Sequence, residues 1–183
     1  MGPALKGIAG AVLALTLAAC GERAPAAPAV TPADVMFAQM SLAHIAQGTV
    51  VTGLIAAKTR NPELTAIARE LDARWAADRV TLTGWLAAWH RPLAPDPDPS
   101  AHAGHGDLHT LRPADVRDLR ERTGADFDRS AGAVLTGLLN TFVATSRLAA
   151  GTGRYPPAIS LAATMTTEHQ RQVRRLLDLA AVS

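Results

Sequence analysis

From Ala33 to Thr59 the residues Phe37, Met40, His44, Gln47, Val51 and Leu54 recur at alternating spacings of three and four. That is the mark of one inward stripe on an α-helix. Asn61-Pro62 stops this helix and supplies a cap plus a first-turn proline for the next, which runs from Glu63 to about His90. Its stripe is Leu71, Trp75, Asp78, Leu82, Trp85 and Trp89. A third long helix spans about Ala125 to Ala150 with Ala131, Leu135, Leu138, Phe142 and Thr145 facing inward. After a turn at Gly151 to Pro157, a fourth runs to about Ala181 on Ala162, Met165, His169, Gln172, Leu176 and Leu179. Between the two pairs, Arg91 to Leu111 is too rich in Pro, Gly and Asp to be helical and reads as a long crossover. A short amphipathic helix, Pro113 to Thr123, follows it. No strand pattern competes, so the expected fold is all-α: a ferritin-like four-helix bundle of two αα-hairpins joined by a long crossover. The bundle domain is expected over residues 33–183, with residues 91–112 as linker.

The two hairpins also resemble each other. An ungapped offset of 94 pairs Asp34 with Asp128, Leu54 with Leu148, Arg60 with Arg154, Pro62 with Pro156, Ala68 with Ala162 and Leu82 with Leu176. Both X-Pro turns fall in register, as a duplication of one hairpin requires.

Residues 1–19 carry a different pattern. Lys6 precedes an apolar run, Ile8 to Ala19, of signal-peptide length and too short to remain as a spanning helix. It ends in Leu17-Ala18-Ala19-Cys20-Gly21, which resembles a bacterial lipobox. Cleavage there leaves Cys20 as the first residue, carrying diacylglycerol and an amide-linked acyl chain, and two or three chains make a stable anchor. Residues 20–32, Pro- and Ala-rich, form the lipidated Cys and a flexible tether. The expected location is extracytoplasmic, lipid-anchored to the bacterial cell membrane. With Cys20 alkylated, disulfides, thiolate metal sites and cysteine catalysis are excluded. Charge is nearly balanced, 18 Lys+Arg against 16 Asp+Glu, with no long run of one sign, which argues against a nucleic-acid partner.

Polar residues on a buried stripe cost free energy unless paired, so they direct attention. His44 with Gln47, Asp78, and His169 with Gln172 all fall on inward stripes. At about 1.5 Å per residue, His44 lies ~16 Å from the start of its helix and His169 ~18 Å from the end of an antiparallel one, which places them nearly level. Met40 and Met165 each stand four residues before one of these histidines. Two imidazoles and two thioethers suit Cu(I) or Ag(I), and poorly suit Mg or Ca. The competing reading is that Met fills the core and each His is simply hydrogen-bonded, to Asp78 or Gln47. The crossover offers a second candidate in His102, His105 and His109, which could capture Cu(II), Zn or Ni but are not preorganised. His90 is read as a cap on the helix dipole, and Trp75, Trp85 and Trp89 as core. A di-iron carboxylate centre is excluded, since it needs Glu-x-x-His on two helices and none occurs. No activated nucleophile is read beside a histidine, so an enzyme is not expected.

Over about Asp34 to Leu179 the chain resembles the ferritin-like bundle proteins grouped as domain of unknown function 305, many exported and some linked to copper handling. The family shows Asp-x-x-Phe and Met-x-x-His-His on the first helix of each half, and Gln-x-x-Glu-Ile-x-x-Met on the second. Asp34-Val-Met-Phe37 matches, and Ser41-Leu-Ala-His44-Ile45 keeps one His and lacks the Met. Phe127-Asp128 matches the start of the second half, with Leu138-Leu139 where its histidines stand. The second motif survives as Trp75, Asp78 and Leu82, and as His169, Gln172-Val173 and Leu176. The resemblance implies the bundle fold. Of the ligands it implies, His44 and Asp78 match in kind, and His169 places an imidazole where the family has an amide.

These readings converge on a membrane-anchored, extracytoplasmic four-helix bundle that binds or buffers copper or another soft metal. The alternative is a binding or structural lipoprotein that keeps the scaffold without the metal site.

Overall fold

The computed structural model describes residues 29–95 and 111–182. Cys20, the signal segment and the crossover histidines His102, His105 and His109 lie outside the described residues. The helices are α1 (Pro32–Lys58), α2 (Pro62–Ala88), α3 (Pro113–Glu121), α4 (Gly124–Thr152) and α5 (Pro156–Ala181). The bundle is all-helical among the described residues, as the periodicity predicts, and α1–α2 and α4–α5 are the two hairpins. The offset of 94 carries the end of α1 onto the end of α4, and the prolines that open α2 and α5 onto one another.

Local chemistry sets the boundaries. Thr31 and Asp34 form a capping box at the start of α1, and the Asn61 carboxamide accepts from the N–H groups of Glu63 and Leu64 at the start of α2. At the end of α2, His90 adopts φ 53°, with its N–H on the Ala87 carbonyl and the Arg91 N–H on that of Leu86. This pairing is a Schellman closure, in which the left-handed residue is usually glycine. His90 therefore ends the helix through its backbone, where the sequence reading assigned the role to its side chain.

Helix α1 packs chiefly on α2 and α4, and α4 on α5; α5 meets α1 and α2 more sparingly. The expected close antiparallel pairing of α1 with the last helix is not found: the two start at the same end and run parallel, meeting sparingly, while long side chains join α2 to α5. Trp75 of α2 reaches His169 of α5, Gln172 donates to Glu70, and Arg175 bonds both Glu63 and Glu70. The short α3 closes the crossover side: Leu119 is buried, and Lys58 donates to the carbonyls of Leu119 and Arg120. Because α1 has neighbours on several sides, burial spreads beyond one stripe to Ala38, Ile45, Gly48, Thr52 and Ile55, while Met40, Gln47 and Leu54 are half-buried. Trp75 is fully buried, whereas Trp85 and Trp89 are half-buried, stacked at 5.9 Å with Tyr155 edge-on to both.

Candidate metal site in the bundle core

Midway along the bundle, an aromatic cluster gathers residues from all four long helices. The Phe142 ring of α4 carries the His44 imidazole at 5.1 Å, the His169 imidazole at 4.5 Å and the Trp75 indole, stacked, at 5.6 Å. His44 and His169 therefore lie at one level, but along parallel helices and not the antiparallel pair the count assumes. Helix α5 starts beside the start of α1, where Asp34 accepts from the Tyr155 N–H, and the level is shared because each histidine stands near the middle of its helix. The Trp75 indole N–H donates to Nε2 of His169 at 3.2 Å, so in the neutral ring the proton sits on Nδ1.

Trp75 fits because α1 offers Gly48 beneath it. A Cβ there would stand 2.5 Å from Cζ3 of the indole, inside van der Waals contact. The same offset of 94 that relates the hairpins pairs Trp75 with His169 and Gly48 with Phe142. The first half places its largest side chain over its smallest residue, and the second half places a smaller ring over a phenyl group.

The cluster is incompletely satisfied. Among the described residues, six buried side-chain atoms have no hydrogen-bond partner: Ser41 Oγ, His44 Nδ1, Asp128 Oδ1, Thr145 Oγ1, Ser146 Oγ and His169 Nδ1. His44 and His169 touch the Phe142 ring, and Ser41, Thr145 and Ser146 stand one turn along their helices from His44 and Phe142. Native interiors seldom leave such groups unpaired. Thr145 reads as inward from the sequence, but Ser41 and Ser146 escape sequence reasoning because small hydroxyl residues read as neutral on a helix face; the signal available was Ser41 three residues before His44.

Other expected ligands are elsewhere engaged. Asp78 is buried, but Arg74 donates to both its oxygens at 3.1 and 3.2 Å; burial raises its pKa and outweighs the opposing effect of Arg74. The Gln47 carboxamide accepts from the Leu111 N–H, so neither Asp78 nor Gln47 partners a core histidine, contrary to the hydrogen-bonded alternative. Met165 is buried one turn before His169, while Met40 is half-buried. No three His, Asp or Glu side chains converge among the described residues. The donor set that remains is two imidazole Nδ1 atoms, hydroxyls and the Met165 thioether, a composition that fits a soft, low-charge ion and not a hard cation.

Burial pushes the His44 pKa down to about 4. At His169 burial, with smaller contributions from Arg74 and His44, brings it down to about 3. Both rings are neutral at pH 7, the form in which imidazole binds metal. Because the unfolded chain takes up these protons near pH 6.5 and the folded chain does not, stability is complete above that pH and declines as pH falls toward the folded values. Urea unfolding as a function of pH should show this decline between about 6.5 and 4 in the wild type, and a flatter curve in His44→Leu/His169→Leu. An identical slope in the two proteins would refute the assignment.

The fold and core define a four-helix bundle made of two related hairpins, with a polar, histidine-bearing centre. Residues 34–180 match the family described as "Domain of unknown function (DUF305)", and the chain belongs to that family. A DUF305 crystal structure from Streptomyces coelicolor, described as that of a candidate secreted protein, has 21% sequence identity and a TM-score of 0.76, covering 81% of this chain and 92% of its own. A DUF305 fragment from Deinococcus radiodurans has 17% identity and a TM-score of 0.73, covering 85% of this chain and 100% of its own. No curated protein matches the chain.

Proposed function

We propose that this protein is an extracytoplasmic lipoprotein, anchored through Cys20, that binds one soft monovalent ion, Cu(I) or Ag(I), in the bundle core. The observation that carries the metal reading is the collection of unpartnered buried donors around Phe142, with His44 Nδ1 and His169 Nδ1 foremost. Thioether coordination by Met165 completes a set suited to Cu(I). When bound, the metal would be held by these side chains. His169 has to give up the Nδ1 proton to serve, and moving that proton to Nε2 breaks the bond from Trp75. Loading should therefore perturb the indole. The lipid anchor is supported by the lipobox-like run ending at Cys20, and export agrees with the description of the Streptomyces relative.

The alternative, a scaffold without metal, is favoured by one observation: the Trp75–His169 bond already uses one imidazole nitrogen structurally. A single experiment separates the readings. Detergent-purified wild type, whose only thiol the proposed thioether at Cys20 would remove, is titrated with Ag(I) while Trp fluorescence and bound metal are followed. Retention of one ion per chain with a change in Trp75 emission, lost in His44→Leu/His169→Leu, is the expected result. Equal retention by both proteins, or none by either, refutes the core site. Labelled fatty acid should enter the wild type and not Cys20→Ala; label in both would refute the anchor.

A further inference from the structure

The remaining buried atom without a partner, Asp128 Oδ1, lies at the opposite end of the bundle from the Asp34 turn. It lines a groove of about 340 Å³ between α4 and α5, beside the α1–α2 turn. Asn61, Arg129, Gly132, Thr136, Leu176 and Leu177 form much of the rest of its lining. That volume falls at the lower end of small-molecule sites, about 300–1,000 Å³, and a mainly apolar lining with a few polar groups is their usual composition.

The duplicated hairpins explain why the oxygen is unpaired. Asp34, the counterpart of Asp128, accepts from the N–H groups of Arg154 and Tyr155 in the α4–α5 turn. That approach depends on Gly153, where a Cβ would stand 2.6 Å from Asp34 Oδ1. The residue corresponding to Gly153 is Thr59, which carries the side chain that Gly153 lacks. The Thr59 hydroxyl also accepts the Asn61 N–H at 2.9 Å, the group equivalent to the Tyr155 N–H. One backbone donor of the second aspartate, the Asn61 N–H, is thus diverted, and Asp128, which also lines the groove, keeps an oxygen without a partner.

We propose that this groove is a binding site for a small apolar molecule bearing a primary ammonium group, which takes the place of the diverted backbone donor on Asp128. The hydrocarbon part lies along Leu176 and Leu177, and Leu177 is exposed in the free protein. Arg129, which also lines the groove, directs its guanidinium to Asp126 at the surface and forms no ion pair with Asp128. Gly132 leaves open space where a side chain would project, so Gly132→Leu should fill the groove and remain folded.

The test is a ¹⁹F NMR titration of the full-length protein with 4-fluorophenethylamine and, in parallel, the matching alcohol. Saturable binding of the amine is expected, with the alcohol at least about tenfold weaker. Asp128→Asn should weaken the amine by about tenfold or more, and Gly132→Leu should abolish it, both with melting temperatures at or near that of the wild type. Equal binding of amine and alcohol, unchanged affinity in Asp128→Asn, undiminished binding in Gly132→Leu, or no saturable binding would each overturn the proposal.

Discussion

Gly48→Ala is expected to destabilise the protein by about 3 kcal/mol, the upper part of the range for overpacking a core. The added methyl would meet the Trp75 ring and not a movable chain end. Trp75 cannot retreat freely, because it is stacked on Phe142 and bonded to His169. Any shift that relieves the clash stretches the indole bond and disturbs both imidazoles. Chemical denaturation measures the loss, and Trp75→Phe in the same chain should restore part of it, since the smaller ring vacates the contested space. Independent, additive costs for the two substitutions would show that they do not share this contact.

Asp34→Ala should cost a similar amount, about 3 kcal/mol, by stranding several donors at once. The buried carboxylate accepts from the Thr31 N–H and hydroxyl at the start of α1, and from the Arg154 and Tyr155 N–H groups at the α4–α5 turn. It ties the two hairpins together at one end. Burial alone would raise its pKa, but the hydrogen bonds from Thr31, Tyr155 and Arg154 together outweigh it and hold the group below its ordinary value of 3.8. Its contribution is therefore complete above that value and lost as pH falls through the lower folded pKa. This acid limb lies below the one set by the histidines, so a pH series in the Asp34→Ala background should lose the lower limb and keep the upper. Loss of both limbs would show that Asp34 does not act independently of the core.

The elements were legible in the sequence because their ends are chemically marked. Thr31, Asn61-Pro62 and Pro156 each start a helix where the periodicity places it, and all four long helices fall within a few residues of their expected bounds. Counting places His44 and His169 level, but on the assumption of antiparallel helices; the level holds because both stand near mid-helix, while the helices run parallel. Partners were less legible, since period reveals which face is inward and not which neighbour it meets. Asp78 is captured by Arg74 one turn away, and Gln47 by a backbone N–H after the crossover. Gly48 was passed over because a glycine adds nothing to a hydrophobic stripe, although its importance here is the volume it leaves empty. The hydroxyls of Ser41 and Ser146 escaped for the related reason that their surroundings, and not their identity, make them unusual.

The unequal sharing of volume between the hairpins has a consequence for how they assemble. Two copies of the first hairpin would bring two indoles across the axis, each only a donor, with two glycines beneath them. Two copies of the second would set a pair of imidazoles over a pair of phenyl rings, with no indole to occupy the space above Gly48. Only unlike halves set an indole over a glycine beside an imidazole over a phenyl ring, so that bulk is complementary across the axis. Each hairpin is thereby fitted to the other and not to itself, and swapping either for a second copy of the other should no longer yield a closed core.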